Sequence, residues 1–317
     1  MKLNAQINRY VDGILIIANR NPFTNVYGLS RSILAMGTLV TFLFNDVHSI
    51  FIDINFGTKK YFFLEKINIF YLFGYENISI AKIVCVIILL FIISGFFPQI
   101  TGLLHWWVTY SFFNSAIIVD GGDQIASVIT LLLIPITLLD SRINHWRFKQ
   151  SKNVIKNYTA ILFIFLIQIQ MCILYFNSAI AKFTVEEWTN GTAIYYWLLN
   201  NTFGVSNYLR KIIFPIITNA YGVQFLTWGT IAFEILLFAS LFFNPKNKIK
   251  MLKAGLLFHF FIFIFLGLGS FFFSMAGGLI LYLYPFDNWI KINFVFKKFF
   301  YGNRSVLRRT KVQPKMD

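Results

Sequence analysis

Residues 157–182 read NYTAILFIFLIQIQMCILYFNSAIAK: 25 residues from Asn157 to Ala181 carry no charged side chain, and a lysine closes the run. At a rise of about 1.5 Å per residue, such a run is long enough as a helix to cross a hydrocarbon layer of about 30 Å. Its apolar residues fall on every side of the helix, leaving no polar stripe for water. That is what lipid requires of a spanning segment, whose backbone groups must all be satisfied within the segment itself.

The rest of the chain repeats the pattern. Of 317 residues, 57% are hydrophobic, 19% aromatic and only 13% charged, against about 25% charged in a soluble domain. Further apolar runs fall at roughly 27–45, 80–97, 100–119, 124–140, 222–243, 252–268 and 269–285. Together with 157–181 they predict an all-α integral membrane protein, a bundle of about eight transmembrane helices. The last two runs form one stretch of about 33 residues, too long for a single crossing, and Gly267, Gly269 and Ser270 mark a break. The stretch 204–218 (GVSNYLRKIIFPIIT) sets apolar residues against Arg210 and Lys211, so it reads as a helix lying along the membrane surface, and residues 4–19 read likewise. No internal repeat or polar linker divides residues 1–317, which read as a single membrane domain with a core at about 21–285 and a basic tail at 286–317.

The net charge of +15 does not follow a nucleic-acid-binding pattern. Its lysines and arginines gather in the N-terminal arm, in 141–156 (Arg142, Arg147, Lys149, Lys152 and Lys156), in 244–253 and in the tail. With about eight spans all these segments share one side, which the positive-inside rule makes the cytoplasm, so both termini are expected there. The opposite side receives 46–79, the DGGD turn at 120–123 and the long loop 182–221. No short apolar stretch with a small-residue cleavage site is seen near the start, so the first span is expected to serve as its own targeting signal. Abundant Phe, Ile, Asn and Lys fit an AT-rich bacterial genome, and hence a bacterial cytoplasmic membrane.

Cys85 and Cys172 sit inside apolar segments as small hydrophobes, with neither a disulfide framework nor a metal-ligand spacing around them. P-loop, GxSxG and HExxH signatures are absent, which removes support for ATP-driven export and for ordinary hydrolase chemistry.

Polar side chains at membrane depth are costly and point to pairing or function. Glu234, His259, Gln168 and Gln170 reach one layer near the middle of their segments. Such a layer serves either as an interhelical clamp or as a proton relay and polar substrate contact. His105 reads as an interfacial anchor beside Trp106 and Trp107, while His48 and His145 fall in loops and carry little information. Asp120 and Asp123 read as a helix cap or a weak cation site.

Lys182 stands apart. Counting along a straight helix puts it at the interface, above the Glu234 and His259 layer by more than a side chain's length. One reading is snorkelling, the ammonium reaching the headgroups. The other follows from the residues after it, FTVEEWTNGTAIYYWLL, whose amphipathic aromatic character suggests a chain folding back over the helix end. Under such a lid, with Trp188 as its apolar part and a cavity beneath, the amine is desolvated and becomes a candidate general base. Glu186 and Glu187 are placed to keep it charged.

These residues also carry a resemblance. Residues 175–197, with the lysine, the acidic residues, the Trp and the Gly, resemble the HTTM superfamily, the membrane domain shared with vitamin K-dependent γ-glutamyl carboxylase. Lys182 matches the lysine taken there as catalytic base, Glu234 within GTIAFEILLF and His259 within GLLFHFFIF match polar positions of later helices, and GGD matches a turn. The block NPFTNVYGLSRSILAMGTLVTFLFN at 21–45 resembles the SdpB family, membrane proteins that act with a partner protein to mature a secreted antimicrobial peptide toxin. No segment resembles the carboxylase's large extramembrane domain, which binds substrate propeptide, so a shared scaffold is implied ahead of a shared reaction.

The resemblance implies two expectations. In one the chain is an enzyme-like maturation factor with Lys182, Glu234 and His259 as catalytic residues, and Gln168, Gln170, Trp188 and Glu187 contacting the precursor peptide. A quinone cofactor is implied only through the superfamily. In the other the chain is a non-enzymatic export or assembly partner for the precursor.

Overall fold

The computed structural model describes residues 12–53, 63–201 and 204–290. Among them the protein is all-α, and the one strand-like contact is an isolated bridge between Phe96 and Asn144. The long helices are α1 (Asn25–Phe44), α2 (Ile78–Ser94), α3 (Pro98–Ser115), α4 (Gly121–Leu139), α5 (Val154–Lys182), α6 (Asn207–Ile217), α7 (Ala220–Ala239), α8 (Pro245–Leu266) and α9 (Gly269–Leu283). Five are long and apolar enough to cross a membrane: α1, α4, α5, α7 with its extension to Phe242, and α8. Helices α2 and α9 are apolar but have only 17 and 15 residues.

The expected break in 252–285 is present. Gly267 ends α8 in the left-handed region at φ 72°, its N–H donating to Phe263 O, a conformation that glycine adopts without a Cβ clash. The expected loop at 244–253 is instead the first turns of α8, which begins at Pro245 with Asn244 as its cap. Its lysines therefore ride on a helix end. The surface stretch forms α6, burying Ile213 and Ile217 and exposing Arg210 and Lys211. Of the expected 4–19 helix, residues 12–18 are helical and 4–11 lie outside the described residues.

Helix α9 is the axis of the bundle: every residue from Ser274 to Leu283 is buried, enclosed by α1, α4, α5 and α8. Leu34, Ile129, Leu133, Ile167, Met171 and Leu279 interlock there, and the Ser30 hydroxyl donates to Gly277 O. In lipid such close packing and interhelical hydrogen bonds, not water exclusion, hold helices together. The other face of α1 meets α2, α3 and the short helices at 47–50 and 69–73 through Phe42, Phe51, Phe70, Leu89 and Phe112.

The DGGD turn caps α4. Asp120 Oδ1 accepts from the backbone of Gly122 (2.7 Å) and Asp123 (3.1 Å), and Asp123 Oδ2 accepts from Asp120 N (3.1 Å), a reciprocal capping box. A Cβ on Gly122 would lie 2.8 Å from the Phe271 Cα, so glycine is what lets α9 start against this turn.

The 141–156 connection corrects the sequence reading most. Arg142 and His145 are buried. Arg142 Nε donates to Asp140 Oδ1 (2.9 Å), its Nη1 to His145 O (3.0 Å) and Arg147 O (3.0 Å). Arg31 of α1, fully buried, donates to Thr101 Oγ1 (2.9 Å) and faces His145 Nδ1 at 3.4 Å. Burial, reinforced by Arg31 and Arg142, holds the His145 imidazole well below its usual pKa and so neutral. The Tyr27 hydroxyl donates to Asp140. Segment 140–146 is thus a plug tying α1, α3 and α4 together, because Arg142 and Asp140 satisfy each other away from water while the His145 ring packs beside Arg31 with its Nε2 unpartnered among the described residues.

A lysine and glutamate joined across two helices

Helix α5 runs without interruption for 29 residues. Asn153 caps it, accepting from Lys156 N, and no proline or glycine falls inside it. Tyr175, Ser178, Ala179 and Lys182 follow the i, i+3, i+4, i+7 spacing, so they line one face. That face meets α7. The two helices are antiparallel, since contacts pair Cys172 with Phe238, Ser178 with Glu234, and Thr189 with Trp228.

Antiparallel packing closes the gap that residue counting opened between Lys182 and Glu234. Each side chain leans toward its own helix's N-terminus, so Lys182 leans back along α5 while Glu234 leans forward to meet it. Lys182 Nζ lies 2.7 Å from Glu234 Oε2 and 2.9 Å from Oε1, and it also donates to Ser178 Oγ (2.9 Å) and Ser178 O (3.2 Å). Ser178 Oγ in turn donates to Glu234 Oε1 at 3.1 Å. Four acceptors surround an ammonium with three protons. The side chains are only 15% and 10% exposed, so the ammonium is an embedded ion-pair partner and does not reach out as simple snorkelling would have it.

Trp188, on the short helix Glu186–Thr189, sets its ring over Lys182 with 5.0 Å from Nζ to the ring centroid, a cation–π contact. Glu186 and Glu187 are exposed, and the partner of Lys182 is Glu234 instead. The Glu187 carbonyl accepts from Thr192 N (2.8 Å), which closes the turn after Trp188.

A second polar contact lies on α5 one helical turn before Ser178 and two before Lys182. The Tyr175 hydroxyl and His259 Nε2 of α8 are 3.0 Å apart, both buried, and Tyr175 is within electrostatic reach of Glu234. His259 Nδ1 is buried without a hydrogen-bond partner among the described residues. Gln168 donates to Leu281 O at 3.4 Å, serving the α5–α9 contact, and Gln170 is half-buried. Asp120 and Asp123 belong to the α4 cap, with Ser270 Oγ on Asp120 Oδ2 at 3.2 Å. Among the described residues no group of three or more His, Cys, Asp or Glu could hold a metal ion. Sequence reasoning overlooked Ser178 and Tyr175; their i, i+3, i+7 spacing with Lys182 was the available signal.

A groove of about 560 Å³ runs between α7 and α8 under residues 194 and 198, lined by Phe225, Gly229, Thr230, Phe233, Phe258 and Phe261 among others. Lys182, Glu234 and His259 do not line it; the Phe233 and Phe258 rings, 5.0 Å apart, and Phe258 against His259 at 5.1 Å, stand between. The groove is therefore not the cavity expected beneath Lys182. Its size and aromatic walls suit a quinone ring, but its hydroxyl, Thr230, already donates to Leu226 O at 2.8 Å, leaving the carbonyls of a quinone without a donor. The groove does not fit that cofactor.

No family model and no solved structure matches the chain. Two proteins of Bacillus subtilis (strain 168) do. The chain is 39% identical over 281 residues to the uncharacterized protein YitO, covering 87% of this chain and 90% of YitO. It is 34% identical over 296 residues to the sporulation-delaying protein SdpB, covering 92% of this chain and 90% of that protein. Identity at this level over 92% of the chain makes it a member of the SdpB family.

Proposed function

We propose that this chain is a multi-pass protein of the bacterial cytoplasmic membrane, with about eight spans and both termini in the cytoplasm, that matures a secreted peptide toxin together with a partner protein of the same system. The observation that carries this reading is the 34% identity, over 92% of the chain, to a protein named for delaying sporulation. The 21–45 block and the HTTM-like residues around Lys182 support it.

Within this reading the Lys182–Glu234 pair is the group that meets the precursor. Transfer of one proton from Nζ to a Glu234 oxygen gives a neutral amine beside a carboxylic acid. The amine then accepts a proton from an X–H bond of the precursor and becomes the ammonium again, and the carboxylic acid protonates the conjugate base so formed, at the same or a conjugated atom, which restores the ion pair. Tyr175 and His259 supply a hydroxyl and an imidazole two turns along α5 from Lys182 for passing that proton on. Trp188 keeps water off the amine.

The aromatic groove between α7 and α8 favours a second reading, in which the bundle holds an apolar segment of the precursor or its partner without chemistry. Replacing Lys182 by Ala, Arg and Met in a producing strain separates the two. Loss of mature toxin with all three, with the protein still in the membrane, is expected; indifference to all three removes the base.

A further inference from the structure

The groove between α7 and α8 has a second cavity as its neighbour. Leu198 forms part of its wall and also part of the wall of a second cavity, of about 250 Å³, lined by Asn201, Ser206, Asn207 and Arg210. Leu198 thus has aromatic and aliphatic side chains on one side and amides, a hydroxyl and a guanidinium on the other. Among the residues lining the two cavities Arg210 is the one that carries a charge. Arg210 is exposed at the rim of the polar cavity. A ligand complementary to both parts has a long apolar portion joined to an anionic head rich in hydrogen-bond acceptors.

We propose that the two cavities form one site for an anionic phospholipid, with an acyl chain along the groove beside Gly229 and the phosphate at Arg210. The occupant is a lipid because it supplies both an acyl chain for the walls of Phe225, Phe233, Phe258 and Phe261 and an anion for Arg210, which an apolar helical segment of a peptide would leave unmet. The anionic head is set by the guanidinium, which pairs with phosphate through parallel N–H donors. The site lies on the far side of Phe233 and Phe258 from the Lys182–Glu234 pair, so it is independent of any reaction there and depends only on the bundle's standing in a bilayer.

Gly229 offers the decisive variant. A Cβ added there meets nothing within 4 Å, so Gly229→Leu and Gly229→Phe fill the groove without disturbing the helix. The full-length protein, purified in detergent, is placed in vesicles of phosphatidylcholine with or without phosphatidylglycerol; thermal unfolding is followed and retained lipid is identified by mass spectrometry. Phosphatidylglycerol should be retained and raise Tm, while free glycerol phosphate should not. Arg210→Gln should weaken retention about fivefold, the effect of one basic residue on anionic lipid, and the Gly229 variants should reduce it with Tm in phosphatidylcholine unchanged. Gly229→Ala should behave as the parent. Equal retention of the two lipids, retention unaffected by both kinds of variant, a full Tm rise with glycerol phosphate alone, or a peptide recovered in place of the lipid would each overturn the proposal.

Discussion

Lys182 and Glu234, 52 residues apart in sequence, meet at 2.7 Å with Ser178 bridging them. Neither group has bulk water to stabilise its charge, so each depends on the other. This mutual dependence makes the pair testable apart from any reaction.

Removing one partner leaves the other as an uncompensated buried charge, which costs about 3 kcal/mol. Lys182→Met and Glu234→Leu should each lower stability by about that much in thermal unfolding of the purified protein. The double variant should recover most of the loss, because two apolar side chains replace two charges. Additive losses would mean that the pair does not couple.

Trp188 covers the ammonium at 5.0 Å. Trp188→Ala should remove a cation–π contact of about 1–2 kcal/mol and open Lys182 to amine-reactive reagents. Trp188→Phe should largely retain the cover. Peptide mapping of the labelled protein reads the outcome at Lys182 directly, and equal labelling in all three proteins would show that the ring shields nothing.

How much of this was legible in the sequence follows from what each residue needs. Lys182, Glu234 and His259 stood out because ionisable groups in apolar runs are rare, and the Gly267 break stood out because the run was too long. The Lys182–Glu234 contact did not, since residue counting locates Cα atoms and ignores the opposite lean of side chains on antiparallel helices. Tyr175 and Ser178 look ordinary in a membrane helix until their partners are known. Arg142 and His145 were misread for a different reason: a charge count treats every loop lysine and arginine alike, and nothing local distinguishes an exposed Lys152 from an arginine folded inward onto Asp140.

The buried His145 gives a dependence on pH. The folded protein holds the imidazole neutral with a lowered pKa, while in the unfolded chain it protonates below about 6.5. Below that pH the unfolded state binds the extra proton, so stability is full above about 6.5 and falls as pH drops toward the lower folded-state value. Tm should be flat from about pH 7 to 8 and decline from 6.5 to 5. His145→Gln, which removes one proton-binding site of the unfolded chain, should lessen the slope on the acid side of the profile.

The sidedness of the bundle is open to single-cysteine labelling in whole cells, with Cys85 and Cys172 replaced by serine. A cysteine at Asn190, beside Trp188, should react with an impermeant maleimide from outside. One at Lys152 should react only after permeabilisation. The reverse pattern would invert the topology derived from the lysine and arginine distribution.

The most direct test of the account is the mass of the secreted peptide from cells producing the parent protein or the Lys182→Met/Glu234→Leu double variant. Because the double variant is expected to fold and remain in the membrane, it separates chemistry from structural support. The account predicts that the mature peptide disappears and unprocessed precursor accumulates. Mature peptide of unchanged mass and yield from the double variant would contradict it.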